Sequence, residues 1–339
     1  AHMKQSLHHH HHENYNSLQG ILNLSYAYQK SKVFLTACEL DIFTILGNEW
    51  KSAREVAHEI DADNRAVEKL MNALASIDIL QKKGEQFSND RGARWFLVKE
   101  SPDYIGNMQH LTDLWDSFGQ LTGSIKSGKA VDDQYMKNMD EQEVRHCMSS
   151  MHWRAQKNAP QVIEEINLKN VTSMLDLGAG SGEYAMQFKK AKPGMEVFAL
   201  ELPNVLPITK EYVDKAGYSD KINFLEADCF KDDLGGGYDM VFVSSVIHRY
   251  SLFENIELCK AIYDSLNPNG KIVVYDYVLN DERTRPDFAA FHTLALLLTT
   301  KGGETYTRTD FWIILKEAWF RNVEVVEAGI DQSLIFGYK

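Results

Sequence analysis

The chain has 339 residues, of which 44% are hydrophobic, and its 48 acidic and 36 basic side chains give a formal net charge of −12. This length and composition predict two globular domains with a buried core, and the acidic balance argues against nucleic acid or an anionic membrane as a partner. No apolar run of membrane-spanning length and no signal-like segment is visible, and the four scattered cysteines lack metal or disulfide spacing. We therefore expect a cytoplasmic protein with no metal site.

Five consecutive histidines, His8 to His12, lie close to the Ala-His-Met start of the chain. A histidine run in this position is typical of a purification tag or a disordered tail rather than a metal site. Residues 1–14 are therefore excluded from the fold prediction.

Residues 15–100 predict a small, mainly helical domain. Apolar residues recur at helical spacing over about 16–46, and Ser52 and Asp63 are placed to cap two further helices. A strand-turn-strand pattern follows over 79–88, so the order is helix, helix, hairpin, as in a winged helix. Because the second helix carries acids as well as bases, we expect a dimerisation module rather than a DNA-binding one.

Residues 101–165 predict a helical linker that is rich in Met, Trp, Phe and His. Such a stripe is typical of a packed core, and its aromatic rings and flexible thioethers also suit the wall of an apolar substrate cavity. From this segment we select as candidate substrate contacts Trp115, Met148 and His152.

Residues 166–339 predict an α/β domain, because short apolar runs alternate with amphipathic helices. The last two strands are too close for a helical crossover, so they should form an antiparallel hairpin. The pattern predicts a Rossmann-like sheet of seven strands with a final antiparallel strand, at residues 172–177, 195–200, 222–226, 238–243, 271–276, 322–327 and 333–338.

A glycine motif follows the first of these strands. Asp176 precedes Gly178, Gly180 and Gly182, where a strand should turn into a helix and bring its backbone close to a ligand. Dinucleotide sites show G-x-G-x-x-G spacing, whereas an acid before G-x-G-x-G is the form associated with S-adenosyl-L-methionine (SAM). We expect SAM as cofactor, S-adenosyl-L-homocysteine (SAH) as product, and Asp176 as a brace of the glycine loop.

Two further acids should end the next two strands, at the sheet edge where ligands bind in such folds. Glu201 can accept both ribose hydroxyls, and Asp228 can accept from the adenine amino group. The remaining candidate cofactor contacts are their neighbours and the end of the fourth strand: Leu202, Cys229, Phe230 and Ser244.

His248 follows the fourth strand, and Asp276 ends the fifth. An imidazole with an ordinary pKa of about 6.5 is suited to remove a proton from a phenol or enol. A carboxylate at the neighbouring strand end can orient that ring and stabilise its charged form. We predict His248 as general base and Asp276 as its partner.

These motifs, with Gly302-Gly303 before a later helix, occur in the order found in small-molecule O-methyltransferases. Over about residues 20–339 the chain resembles the family of the plant caffeic acid and animal hydroxyindole enzymes and their bacterial tailoring relatives. The resemblance implies a homodimer formed through the N-terminal domain and methylation of a hydroxyl on a small apolar acceptor. Candidate acceptor contacts are Arg249, Tyr250, Phe291, His292 and Leu296.

The chain departs from the family pattern at three positions. Arg249 replaces the Asp of the usual His-Asp-Trp, Thr305 replaces a second acid with Glu304 one residue early, and Ser244 stands where plant members often have Lys. Three alternative functions stay open: methylation of carbon, nitrogen or sulfur, a SAM-retaining enzyme of non-methyl chemistry, and a SAM-sensing regulator.

Overall fold

The computed structural model describes residues 15–106 and 108–339, so the predicted tag lies outside the described residues. The chain divides into two compact units, Ala1–Asp113 and Leu114–Lys339. The finer division expected at residues 100 and 165 stays a prediction.

The first unit is mainly helical, with a small sheet. Its three described strands form an antiparallel sheet in the order β1-β3-β2. The elements are α1 (Leu18–Glu39), α2 (Ile42–Leu46), β1 (Lys51–Ser52), α3 (Ala53–Glu59), α4 (Asn64–Ser76), β2 (Leu80–Lys83), β3 (Gln86–Asn89) and α5 (Arg91–Phe96).

The helix starts of this unit are set by side-chain caps. Ser52 and Glu55 form a reciprocal capping box at α3, and Asp63 accepts the Ala66 N–H at 2.8 Å at the start of α4. Each cap satisfies amide groups that the first helical turn leaves unpaired. The helix starts predicted at Ser52 and Asp63, and the hairpin after them, are confirmed.

Helix α1 differs from its neighbours because it buries little. Over its 22 residues only Leu35 and Ala37 are buried, both near its end. Large apolar side chains of its first half face solvent, among them Leu18, Ile21 and Leu24. Large apolar side chains exposed along a helix in this way are typical of an interaction surface.

The second unit is an α/β domain preceded by helices. Helix α6 crosses the division between the units. The elements are α6 (Gln109–Gly119), α7 (Leu121–Ser127), α8 (Tyr135–Asn138), α9 (Glu141–Glu164), β4 (Ser173–Leu177), α10 (Glu183–Ala191), β5 (Glu196–Glu201), α11 (Leu206–Lys215), β6 (Asn223–Glu226), β7 (Tyr238–Ser244), a 3-10 turn (Ile247–Arg249), α12 (Leu252–Ser265), β8 (Leu266–Asp276), α13 (Asp287–Thr299), α14 (Arg308–Glu317), β9 (Arg321–Ala328) and β10 (Gln332–Tyr338).

Within the described residues the sheet of this unit has seven strands in the order β6-β5-β4-β7-β8-β10-β9. Strands β6, β5, β4, β7 and β8 pair in parallel, and β10 is antiparallel to both β8 and β9. The predicted fold class, including the final antiparallel strand, is confirmed. The carboxyl ends of β7 and β8 lie side by side, since Ser244 pairs with Tyr275.

One strand boundary differs from its prediction by more than one residue. Strand β8 begins at Leu266 rather than near residue 271, with a pairing irregularity opposite β7 between Tyr238 and Met240. Asn269 has a left-handed φ of 62° within this stretch. The segment Asn-Pro-Asn-Gly therefore has turn chemistry and lies between the paired residues Leu266 and Lys271, which is why sequence patterning placed the start later.

Apolar side chains cover both faces of the sheet. Phe188, Phe242 and Tyr275 belong to one buried cluster, and Val241 and Phe311 belong to the other. Burial on both faces is the expected state of a largely parallel sheet. Among the described residues, no helix has the length and apolar character needed to cross a membrane.

Candidate active site

The glycine loop joins β4 to α10 at the carboxyl edge of the sheet. Gly178, Gly180 and Gly182 all have left-handed φ values, of 75°, 58° and 77°. A Cβ on Gly178 would lie 2.6 Å from a methyl carbon of Val246. Both the conformation and the close contact require glycine there, so the loop backbone forms part of a cavity wall.

Glu201 ends β5 and faces this loop. Its Oε1 accepts the Gly180 N–H at 2.8 Å, and its Oε2 accepts the Leu202 N–H at 2.9 Å. Burial raises the pKa of Glu201, while the two amides and the Arg249 charge act in the opposite direction. Each carboxylate oxygen retains a second lone pair for a ligand.

Asp176 lies beneath the loop, in β4, and is 1% exposed. Neither of its oxygens has a hydrogen-bond partner among the described residues. Burial, followed by the charge of Glu201, raises the pKa of Asp176 to about 8, against a smaller opposing effect of the Ala185 amide. The side chain is thus a buried acid that is protonated near neutral pH, and its role as a brace stays a prediction.

The segment after β6 carries the third predicted acid. Asp228 accepts from the Lys137 ammonium at 3.0 Å and from the Phe230 N–H at 3.1 Å. Partial burial raises the pKa of Asp228, but these contacts lower it by more, so the net shift of the pKa is downward. Burial raises the pKa of the neighbouring Cys229 to about 12, so its side chain is a neutral thiol. The ring of Phe230 packs against Tyr250, with centroids 4.1 Å apart.

His248 lies in the 3-10 turn after β7 and pairs with Asp276 at the end of β8. The distance from His248 Nδ1 to Asp276 Oδ1 is 2.6 Å, and the two residues are 5% and 0% exposed. No described residue forms a hydrogen bond with Nε2 of His248. The ring therefore has one nitrogen held by a carboxylate and the other available to a ligand.

Aromatic side chains surround this histidine. The His292 ring is edge-on to His248 with centroids 4.9 Å apart, and Tyr277 contacts both rings. Burial, followed by the charges of His248, Arg249 and Arg154, lowers the pKa of His292 to about 3. His292 is therefore a neutral imidazole at physiological pH.

A cavity that opens to solvent lies between the glycine loop, the β7 turn and helices α8 and α9, and its empty space, with the open mouth included, is about 760 Å³. It is largely apolar, with a wall rich in sulfur-containing side chains. Its lining residues are Met136, Met139, Val144, Cys147, Met148, Met151, Leu177, Gly178, Gly180, Leu200, Glu201, Leu202, Val205, Ala227, Cys229, Ser244, Ser245, Val246, Arg249 and Tyr250.

This cavity brings together nine of the residues selected from the sequence: Met148, Gly178, Gly180, Glu201, Leu202, Cys229, Ser244, Arg249 and Tyr250. Asp176, Gly182, Asp228, Phe230, His248 and Asp276 are not among its lining residues. Val246 and Arg249, which lie on either side of His248 in the sequence, do line the cavity. The His248–Asp276 pair therefore adjoins it.

Other candidate acceptor contacts lie elsewhere. His152 contacts the glycine loop, with Nδ1 2.8 Å from Ser181 Oγ, and packs against Tyr212. Phe291 is 67% exposed, whereas Leu296 is buried. Trp115 lies in α6 and does not line the cavity. Their proposed role in acceptor binding stays a prediction.

Two side chains near these groups were missed by the sequence reasoning. Lys137 pairs with Asp228 across 91 positions, and Tyr277 packs on His248. Tyr277 directly follows the predicted Asp276, so its position was a usable signal. Nothing in the pattern around Lys137 indicated its partner.

Thr305 stands where the family commonly has a second acid, and this replacement has a structural consequence. Thr305 is 1% exposed, and its hydroxyl has no hydrogen-bond partner among the described residues. Glu304, one residue earlier, is about half exposed and lies 4.0 Å from Arg283. His248 therefore has Asp276 as its carboxylate partner, and the described residues offer it no second one. They also contain no cluster of side chains suited to a metal ion.

Family comparisons agree with this architecture. Residues 126–321 match the O-methyltransferase domain, and residues 22–99 match the O-methyltransferase dimerisation domain. The chain belongs to the O-methyltransferase family. It is therefore an enzyme with SAM as cofactor and a small-molecule substrate, and its dimerisation domain supports a homodimer.

Several known proteins resemble this O-methyltransferase over nearly their whole length. The tetracenomycin polyketide synthesis 8-O-methyl transferase TcmO of Streptomyces glaucescens is 26% identical over 94% of this chain and 96% of its own. The structure of PigF with SAH is 21% identical with a TM-score of 0.87, covering 95% and 99% of the two chains. Human N-acetylserotonin methyltransferase in complex with SAM is 22% identical with a TM-score of 0.84, covering 95% and 97%.

Proposed function

We propose that this enzyme methylates a phenolic or enolic hydroxyl of a small apolar, aromatic metabolite, with His248 as general base. The observation that carries the proposal is the pairing of His248 Nδ1 with the buried Asp276 carboxylate at 2.6 Å. A carboxylate at Nδ1 favours the tautomer whose proton lies there, which leaves the Nε2 lone pair to accept a proton.

The residues around the cavity fit the cofactor. The glycine loop exposes backbone at Gly178 and Gly180, Glu201 supplies carboxylate oxygens beside it, and the wall contains thioether side chains. We assign Glu201 to the ribose hydroxyls and Asp228 to the adenine amino group. When bound, SAM supplies an electrophilic methyl group on its sulfonium.

The chain's own contribution is positioning and proton removal. The Met and Val side chains give the cavity an apolar wall against which an apolar acceptor can be held, which favours a fixed approach of its oxygen. Nε2 of His248 takes the hydroxyl proton, and Asp276 stabilises the resulting imidazolium. General-base catalysis of this kind contributes a factor of about 10²–10⁴.

His248→Ala and His248→Asn test the assignment, with His58→Ala, an exposed histidine of α3, as matched control. Methyl transfer from labelled SAM is measured against a panel of phenols, and SAH affinity is measured for each variant. We expect activity to fall about 10²–10⁴-fold in both His248 variants with SAH affinity unchanged. Near-native activity would remove the base role and favour an acceptor that needs no deprotonation.

A further inference from the structure

Arg249 is one of two charged residues that line the cavity. The other is Glu201, and the remaining lining residues are neutral and mostly apolar. Arg249 ends the 3-10 turn that carries His248 and is partly buried. Its positive charge acts to lower the pKa of Glu201 and the pKa of His292, so the guanidinium lies within electrostatic range of both side chains.

The two charged side chains differ in their hydrogen-bond partners. Both oxygens of Glu201 receive backbone N–H groups. The backbone N–H of Arg249 donates to the Val246 carbonyl at 3.0 Å, but its guanidinium has no hydrogen bond and no salt bridge with any described residue. A guanidinium has five N–H donors in a fixed fork, and leaving them unpaired in a partly buried site is unfavourable. The protein therefore provides donors for the acid of this cavity but no acceptor for its cation.

We infer that Arg249 binds a carboxylate of a ligand held in this cavity. The planar fork matches a carboxylate through two parallel hydrogen bonds, and the low polarity of the wall strengthens them. Two ligands can supply that group, namely the amino-acid part of the cofactor or an acidic substituent of the acceptor. The inference rests on the proposed function for the acceptor, since the acceptor must share this cavity.

A purely structural role would make Arg249 the counter-ion of Glu201. No contact within salt-bridge distance joins the two side chains, and Glu201 already has two amide partners. As a counter-ion, Arg249 would support every ligand that needs Glu201. As a carboxylate ligand, it would support only ligands that carry the carboxylate, and this difference can be measured.

The first experiment compares wild type, Arg249→Met and Arg249→Lys by calorimetric titration with SAH and with 5′-methylthioadenosine, which keeps the adenosine and thioether but has no carboxylate. Arg308→Met, an exposed arginine of α14, controls for net charge. If the cofactor supplies the carboxylate, Arg249→Met weakens SAH binding about 10- to 100-fold and leaves methylthioadenosine binding unchanged. The lysine variant recovers part of the loss.

The second experiment adds 3-hydroxybenzoate or 3-hydroxybenzamide to SAH-saturated protein. If the acceptor supplies the carboxylate, SAH binding is unchanged in Arg249→Met, and wild type prefers the benzoate by about tenfold or more, a preference that the variant loses. Equal weakening of SAH and methylthioadenosine would assign Arg249 to Glu201 and overturn the inference. Unchanged binding of all four probes would overturn it too.

These measurements concern binding and not turnover. A failure of the base role of His248 would change methyl transfer and leave the titrations as they are. A failure of the inference about Arg249 would leave the His248 variants as expected.

Discussion

His248, in the turn after β7, and Asp276, at the end of β8, are joined by a contact of 2.6 Å between Nδ1 and Oδ1. Asp276 also accepts the backbone N–H of Tyr277 at 2.8 Å and that of His248 at 3.4 Å. Its carboxylate is thus held by two amides in addition to the imidazole. This arrangement fixes the orientation of the ring before any ligand enters.

Asp276→Asn should lower the rate of methyl transfer by about 10²–10⁴-fold. The amide has nearly the same volume but carries no negative charge, so it no longer stabilises the imidazolium that forms when His248 takes the hydroxyl proton. Turnover with a phenol that the wild type accepts is the measurement, together with its pH profile. SAH affinity serves as the control and should stay within about twofold, and a variant with near-native turnover would contradict the pairing.

Gly303 contacts the same turn from the other side. A Cβ at this position would lie 2.5 Å from the His248 carbonyl oxygen and 2.9 Å from the Arg249 carbonyl carbon, and its φ is not left-handed, so the clash alone matters. Gly303→Ala should therefore shift the turn, destabilise the fold by about 1–3 kcal/mol and reduce activity. Chemical denaturation and turnover measure both effects.

Gly194→Ala is the matched control, because its Cβ would meet nothing within 4 Å. This variant should retain its stability and its activity. If both glycine variants behaved alike, the Gly302-Gly303 turn would not position His248.

The strands and their order were predictable because apolar runs, turn residues and the carboxyl-edge rule act locally or along one sheet. Glu201, Ser244 and Asp276 each follow an apolar run, and the sheet then brings them to one edge. Sequence patterning also predicted the caps at Ser52 and Asp63, since a cap involves residues two or three positions apart.

Contacts between distant segments were not predictable in this way. Lys137 meets Asp228, and His152 meets Ser181 rather than the cavity, because both depend on how α8 and α9 pack against the loops. The isolation of Asp176 from hydrogen-bond partners likewise depends on packing around β4. Such contacts are set by tertiary packing, which neither composition nor periodicity specifies.

The exposed apolar face of α1 predicts the effect of a charge at the subunit contact. Leu18 is 77% exposed and Ile21 52%, and the matched dimerisation domain begins at residue 22. Leu18→Glu with Ile21→Glu should weaken the dimer about tenfold or more, because carboxylates lose hydration in an apolar contact. Sedimentation velocity over a dilution series measures the dissociation constant of the dimer. Phe253→Glu, at a residue of α12 that is 71% exposed, should leave the dimer unchanged, and an equal effect would assign the contact elsewhere.

Asp176 predicts a pH dependence of stability. Its pKa is raised to about 8 in the folded state, whereas an aspartate in the unfolded chain titrates near 3.9. Between these values the folded state holds a proton that the unfolded state releases, so this group's stabilisation is complete below about pH 4 and is lost as pH rises through 8. A side-chain amide cannot ionise. The thermal midpoint of Asp176→Asn minus that of wild type should therefore increase as pH rises from 5 to 9.

The control for this titration is Asp239→Asn. Hydrogen bonds from Asn267 and Thr172 outweigh partial burial and lower the pKa of Asp239, so it is ionised in both states throughout pH 5 to 9. Its midpoint difference from wild type should therefore be constant over that range. A constant difference for Asp176→Asn as well would mean that Asp176 is ionised in the folded enzyme, and the buried carboxyl beneath the glycine loop would then need a cationic partner.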